Sequence, residues 1–270
     1  IPTIPSLVRA CLWFSRKRSA ILIQEHKFFE AHSAPIQTMI RKHYRKADGI
    51  MVLTQADARE YKTITGREPF HVPNGVRPLQ AVSLSRSGRP RVIALGRLDP
   101  QKQYDLLFRA FAKAAEDLPD WELHLFGEGG EQERLSDLVR ELSMTGRIHM
   151  RGKTSNALEE MANAEICAVS STFEGFGMTF IEAYSARKPV VTFDIERGPK
   201  EIVIHDVTGL KALPFDVNDY AVQLRTLMTS PEMRERMGKA GFALFEQEFS
   251  TDTVGPRLEN AIAAVHATDT

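Results

Sequence analysis

Two carboxylates eight residues apart carry the densest chemistry in this 270-residue chain, in the run Ser170-Ser171-Thr172-Phe173-Glu174-Gly175-Phe176-Gly177-Met178-Thr179-Phe180-Ile181-Glu182-Ala183. Glu174 falls in a Gly-containing loop, and Glu182 about a turn into the helix expected to follow. Gly175 and Gly177 let the backbone approach a ligand closely. The amides of Gly177, Met178 and Thr179 would open that helix, where the partial positive charge favours anionic groups. Glu182 can accept two hydrogen bonds from a vicinal diol, as acidic residues do with ribose in nucleotide-binding α/β folds. Taken alone, the pair fits a surface loop followed by an ordinary helix-start glutamate equally well.

A second constellation is Ala94-Leu95-Gly96-Arg97-Leu98-Asp99-Pro100-Gln101-Lys102. A strand ends in Gly96, and two cations follow before the next helix. Arg97 offers a planar fork of donors and Lys102 a point charge, both suited to phosphate. On their own, an Arg and a Lys in a loop also fit plain solvation. A third is the strand-to-helix turn Phe126-Gly127-Glu128-Gly129-Gly130. A dinucleotide fingerprint G-x-G-x-x-G would need glycine where Gln132 stands, so NAD binding is discounted. A tight turn explains these glycines as well as ligand contact does.

Positioning these loops requires strands that end where they begin. Short β-branched or aromatic runs predict strands at Ala20–Gln24, Gly49–Leu53, Arg91–Leu95, Glu122–Phe126, Arg147–Met150, Ile166–Ser170 and Pro189–Phe193. Between them lie amphipathic segments, clearest in the stripe Tyr104, Leu107, Phe108, Phe111, Ala112 and Ala115. Strands alternating with helices imply an α/β fold with parallel sheets covered on both sides. Ligands of such sheets bind beyond the carboxyl ends of the strands, where all three constellations fall.

Turn chemistry at Pro73-Asn74-Gly75 and a polar stretch at Ser83–Pro90 mark a boundary. Three parts are expected: an incomplete N-terminal α/β domain over 1–77, a complete α/β domain over 78–250, and a C-terminal helix over 251–270 packing back towards the first domain. Ser230-Pro231 reads as a helix cap followed by proline at the first helical position, and Thr253–Val265 as a further amphipathic stripe.

Lys+Arg and Asp+Glu both number 35, so no net field attracts nucleic acid. Cys11 and Cys167 are too far apart in sequence to suggest a disulfide framework or a metal site, which fits a reducing compartment. No apolar stretch reaches the ~18–20 residues of a membrane span. The start Ile1-Pro2-Thr3-Ile4-Pro5 is neither an initiator Met nor a signal peptide, and implies an N-terminal truncation. Leu7–Arg18 mixes Leu, Trp and Phe with four cations. An ordinary surface helix is the favoured reading there, and peripheral contact with an anionic membrane is the alternative.

In combination the motifs resemble family 4 of the glycosyltransferases, the retaining group with the GT-B fold of two Rossmann-like domains. The resemblance runs over nearly the whole chain. It rests on Pro-Asn-Gly-Val (73–76), Gly-Arg-Leu…Lys (96–102), Phe-Gly-Glu-Gly (126–129), Ser-x-x-Glu-Gly-Phe-Gly…Glu-Ala (171–183), Gly-Pro-x-Glu-Ile (198–202) and Asp-Val-Thr-Gly (206–209). The Gly198–Ile202 run leans towards enzymes that build bacterial surface polysaccharides or teichoic acids. The departures are Gln103 after Lys102, Arg187 before Lys-Pro, and the missing counterpart of the family's N-terminal Gly-rich loop.

The resemblance implies roles residue by residue. Arg97 and Lys102 would neutralise the donor diphosphate, and Glu174 would face the transferred sugar. Gly177, Met178 and Thr179 would offer amides to sugar or phosphate, and Glu182 would hold the ribose. His26, at a strand end, would point at the donor sugar. Gly152 and Lys153 would meet the base, with Gly96, Gly127, Gly129, Gly175 and Phe176 completing the donor-binding set. The implied activity is transfer of a hexosyl unit from a nucleotide-diphosphate sugar, UDP favoured over GDP, to a glycan or lipid-linked acceptor. No Asp-x-Asp pair sits at a strand end, so no metal and no cofactor beyond the donor is expected. The location implied is cytoplasmic, at the inner membrane face if Leu7–Arg18 docks there. Two alternatives remain: a non-catalytic nucleotide-sugar-binding fragment, and another GT-B enzyme such as a sugar-nucleotide epimerase.

Overall fold

The computed structural model describes residue 11 and residues 20–79, 88–196 and 198–267. Apart from residue 11, the basic segment Leu7–Arg18 lies outside the described residues, as does most of the polar boundary stretch. The chain divides into two compact units, 1–75 with 248–270, and 76–247.

The first unit carries a three-stranded parallel sheet, β1 (Leu22–Gln24), β2 (Gly49–Val52) and β3 (Phe70–His71), in that order. Alternation along β1 and β2 makes two apolar faces. Ile23, Ile50 and Val52 point to a core shared with Ile40 and Tyr44 of α1 and its end and with Ala58 and Tyr61 of α2 (α1, Ala34–His43; α2, Gln55–Thr65). Leu22 and Met51 point to the other face, where Val254, Ala261 and Val265 of the C-terminal helix (Thr251–Ala267) cover them. Thr54 starts α2 by accepting from the Asp57 amide, and Gly66 ends it in the left-handed conformation.

The second unit is a six-stranded, wholly parallel sheet of β4 (Arg91–Leu95), β5 (Glu122–Phe126), β6 (Ile148–Gly152), β7 (Ile166–Val169), β8 (Val190–Phe193) and β9 (Gly209–Ala212). Its order is β6-β5-β4-β7-β8-β9. One face (Val92, Ala94, Leu123, Leu125, Ala168, Val191, Phe193) builds the larger core with α3 (Tyr104–Ala114), α4 (Gln132–Glu141) and α8 (Val217–Thr229). The α3 stripe is buried at Tyr104, Leu107, Phe108 and Phe111, as the 3.6-residue period requires. The other face is met by α5 (Ala157–Ala162) on β4 and by α6 (Met178–Ser185) on β7. A short α7 (Pro199–Ile202) follows β8. The helix α9 (Pro231–Glu248), which the Ser230 hydroxyl caps through the Met233 amide, leads to the C-terminal helix, α10.

Two strands escaped the sequence patterns. β3 has two residues and follows a proline, and β9 opens on a glycine and carries a lysine, so neither shows an apolar run. The strand order matters most for function. After β4 the chain steps outward to β5 and β6, then crosses back to lay β7 on the other side of β4. Adjacent strands with loops running in opposite directions leave a crevice between their carboxyl ends, the usual ligand position of an open α/β sheet. The loops after β4 and β7 are the ones holding Arg97, Lys102 and Glu174.

Candidate active site

At that switch point the two loops are bonded to each other. The Gln101 side-chain amide donates to the Phe173 carbonyl at 2.8 Å, and the Thr172 amide donates to the Gln101 carbonyl at 2.8 Å. The Ser170 hydroxyl donates to the Lys102 carbonyl at 2.6 Å. These bonds fix the backbone on both sides of the central contact. There, Lys102 Nζ and Ser171 Oγ each donate to Glu174 Oε1 at 2.7 Å. Both charges are largely withdrawn from water, with side chains 16% and 13% exposed. A buried pair of this kind holds only because each charge has its partner.

Glycines let the neighbouring loops interlock. A Cβ on Gly127 would lie 1.8 Å from the Gly96 carbonyl oxygen, so the turn after β5 packs backbone to backbone on the turn after β4. The Gly129 backbone does the same against Leu98, and the Lys102 stem lies over Gly96. The Gly127 amide donates to the Gly152 carbonyl at 2.9 Å, which brings in the end of β6. Gly96, Gly127, Gly129, Gly152 and Lys102 thus belong to one cluster of strand ends. Lys153 is exposed beside it.

Arg97 behaves differently. Its side chain is 80% exposed and reaches Asp99 Oδ2 at 3.2 Å. Gly175 is half-buried, Phe176 is buried, and Met178 is exposed at the start of α6. Gly177 supplies the left-handed cap, no side chain caps this helix end, and Met178 and Thr179 begin its first turn. Such a turn leaves amides for an outside acceptor.

Glu182 lies one turn further along α6. Burial pushes its carboxyl above the ordinary value of about 4.5. A carboxyl raised in the fold favours folding at pH values below its unfolded range, and that contribution is lost as pH rises through the folded value. Glu182→Gln is therefore expected to raise the melting temperature at pH 7 and to leave it unchanged near pH 4. Melting curves at the two pH values check this; equal effects at both would show that the carboxylate is not strained by burial.

Sequence reasoning missed three contributors. Tyr104 reads in the sequence as one residue of an apolar stripe, yet its hydroxyl is buried without a hydrogen-bond partner beside Gly96 and close enough to Glu174 and Asp99 to feel their charge. Ser171 directly fixes Glu174. Gly198 packs so closely that a Cβ there would lie 2.6 Å from the Glu174 Cβ. Ser171 and Gly198 each stand in a motif, at 171–183 and 198–202, without a role attached to them there, and Tyr104 has no signal beyond its stripe. In the first unit, His26 is exposed just past β1. The preceding Glu25 is buried and accepts from Tyr44 at 2.7 Å and Tyr61 at 2.8 Å, with His32 Nε2 at 2.8 Å, so the backbone leading into His26 is anchored.

A family model described as glycosyl transferases group 1 matches residues 77–243. The chain belongs to this family. Group 1 relatives include an exopolysaccharide phosphotransferase of Streptomyces coelicolor, 29% identical over 88% of this chain and 26% of its own length. A poly(glycerol-phosphate) alpha-glucosyltransferase of Bacillus subtilis is 24% identical over 74% of this chain and 30% of that protein. The chain thus spans under a third of either relative. Among solved structures, HepE of Anabaena in complex with UDP and glucose superposes with a TM-score of 0.80, at 22% identity over 92% of this chain and 72% of that one. The fold is GT-B, with parallel Rossmann-like sheets. In this group 1 chain, no helix among the described residues is long and apolar enough to cross a membrane.

Proposed function

We propose that this group 1 chain is the donor-binding part of a retaining, family 4-type glycosyltransferase that moves a hexosyl unit from a UDP sugar to a glycan or lipid-linked acceptor. The observation that carries the reading is the Lys102–Glu174–Ser171 cluster at the sheet's switch point, beside an uncapped helix start. The B. subtilis relative, named for glucosyl transfer to a poly(glycerol phosphate), and the HepE complex with UDP and glucose support it.

In this reading a diphosphate leaves while positive charge develops on the sugar, and preorganised groups must take up the leaving charge. Lys102, Arg97 and the first amides of α6 do so, with no metal in the transfer step. Lys102 has three donors, so it can turn one towards phosphate and keep another on Glu174. Glu174 orients the sugar hydroxyls, Glu182 accepts from the ribose diol, and the Gly152–Lys153 strand end meets the base. The acceptor side and His26 belong to the first unit, with a cytoplasmic location at the inner membrane face if the basic segment docks there.

Arg97→Ala and Lys102→Ala are each expected to weaken UDP binding by about 10–100-fold, the worth of a charge-assisted hydrogen bond. Calorimetry on the chain checks this, and unchanged affinity in both variants would remove the phosphate role. A second reading is a nucleotide-sugar-binding module without transfer of its own, which needs only the donor-side cluster of the second unit. Product analysis with UDP sugars and a teichoic-acid-type acceptor separates the two.

A further inference from the structure

Glu122, His124 and His149 stand together at the other end of the second sheet. Glu122 opens β5, His124 follows on the same face, and the β5–β6 register sets His124 directly opposite His149. This face is the one opposite Leu123 and Leu125, which belong to the large core. His124 Nε2 lies 2.9 Å and His149 Nε2 3.4 Å from the same carboxylate oxygen, Glu122 Oε2, and the three ligand atoms are all within 4.8 Å of one another. The rings meet edge to face, with centroids 4.9 Å apart. Of the two contacts, the His124 one is a hydrogen bond. His149 Nε2 is buried with no hydrogen-bond partner, a cost that a native fold normally avoids.

We propose that these three side chains bind a first-row divalent cation, Zn2+ in the first instance, which ties edge strand β6 to β5. Two imidazoles and one carboxylate are the donor set that Zn2+ accepts, with a fourth position left to water. Glu122 and His149 are 18% and 26% exposed, which leaves that fourth side open. Ligands around a tetrahedral Zn2+ stand about 3.3 Å apart, so the present spacing closes on an ion by side-chain rotation alone. A neutral imidazole presents its Nε2 lone pair to a cation once its hydrogen sits on Nδ1. Arg89, 3.6 Å from Glu122 Oε1, weakens the attraction for a cation, so binding is moderate rather than extreme.

The test uses the whole chain, stripped with EDTA and titrated with Co2+ and Zn2+, beside His149→Ala and Glu122→Gln. One equivalent of Co2+ should give visible absorption, Zn2+ should displace it, and Zn2+ should raise the melting temperature. Each variant should bind about tenfold more weakly or worse. His149→Ala removes a partly exposed ring and Glu122→Gln keeps the shape, so failure of one to fold leaves the other. No saturable binding, or variants that bind as tightly as the parent, overturns the proposal. UDP affinity should be the same with and without Zn2+, because the five residues of β5 put about 13 Å between its ends. A Zn2+-dependent UDP affinity would put the ion at the phosphates and equally overturn it.

Discussion

Glu174→Gln is expected to lower the rate of sugar transfer by about a thousandfold while UDP binds at least as tightly as before, the loss typical of one preorganised polar group at the reacting centre. Gln keeps the shape of the side chain and an oxygen for Ser171, so the loop between β7 and α6 should hold. What it loses is the charge that anchors Lys102 and, in the proposed reaction, orients the hydroxyls of the transferred sugar. Lys102 loses its competing anion and is left to the diphosphate, which is why affinity for UDP should not fall. Steady-state kinetics together with calorimetry read the two quantities separately. Turnover within tenfold of the parent would remove Glu174 from the reaction. A parallel loss of UDP affinity would mean that the loop had collapsed instead.

How much of this was legible beforehand follows from where the information sits. β4 is an apolar run from Val92 on, and β5 alternates Leu123 and Leu125 in the large core with Glu122 and His124 on the other face, so the sequence marks the limits of both. β3 and β9 are short edge strands whose place depends on neighbours, so local pattern could not find them. Lys102 and Glu174 were legible as types at strand ends, but their contact spans 72 residues and depends on β7 lying beside β4. Strand order is a tertiary fact, and periodicity does not contain it. The same holds for Tyr104, whose ring obeys the helical stripe while its hydroxyl reaches the strand ends. It holds again for His124 and His149, which meet only through the register of β5 on β6. Arg97 shows the converse. Its type suits phosphate, yet its side chain is exposed and paired with Asp99, so type alone overstated how far it is prepared.

The position of Glu174 should itself depend on a residue without a side chain. Gly198→Ala is expected to cut transfer by about 100-fold, the usual cost of misplacing a reacting group by about 1 Å. Gly198 has φ +94°, and an added Cβ would lie 2.6 Å from the Glu174 Cβ and 3.2 Å from its carbonyl oxygen. Alanine there is strained in the backbone, at roughly 1–3 kcal/mol, and also pushes the loop that carries the carboxylate. The two effects can be separated within the same unit. Gly146 has φ +89° and open space where a Cβ would go, so Gly146→Ala carries the backbone strain with nothing to displace. Both variants should melt lower than the parent, and only Gly198→Ala should lose its rate. If the two turned over alike, Glu174 would be held by Ser171 and Lys102 alone, and the loop after β8 would have no part in placing it.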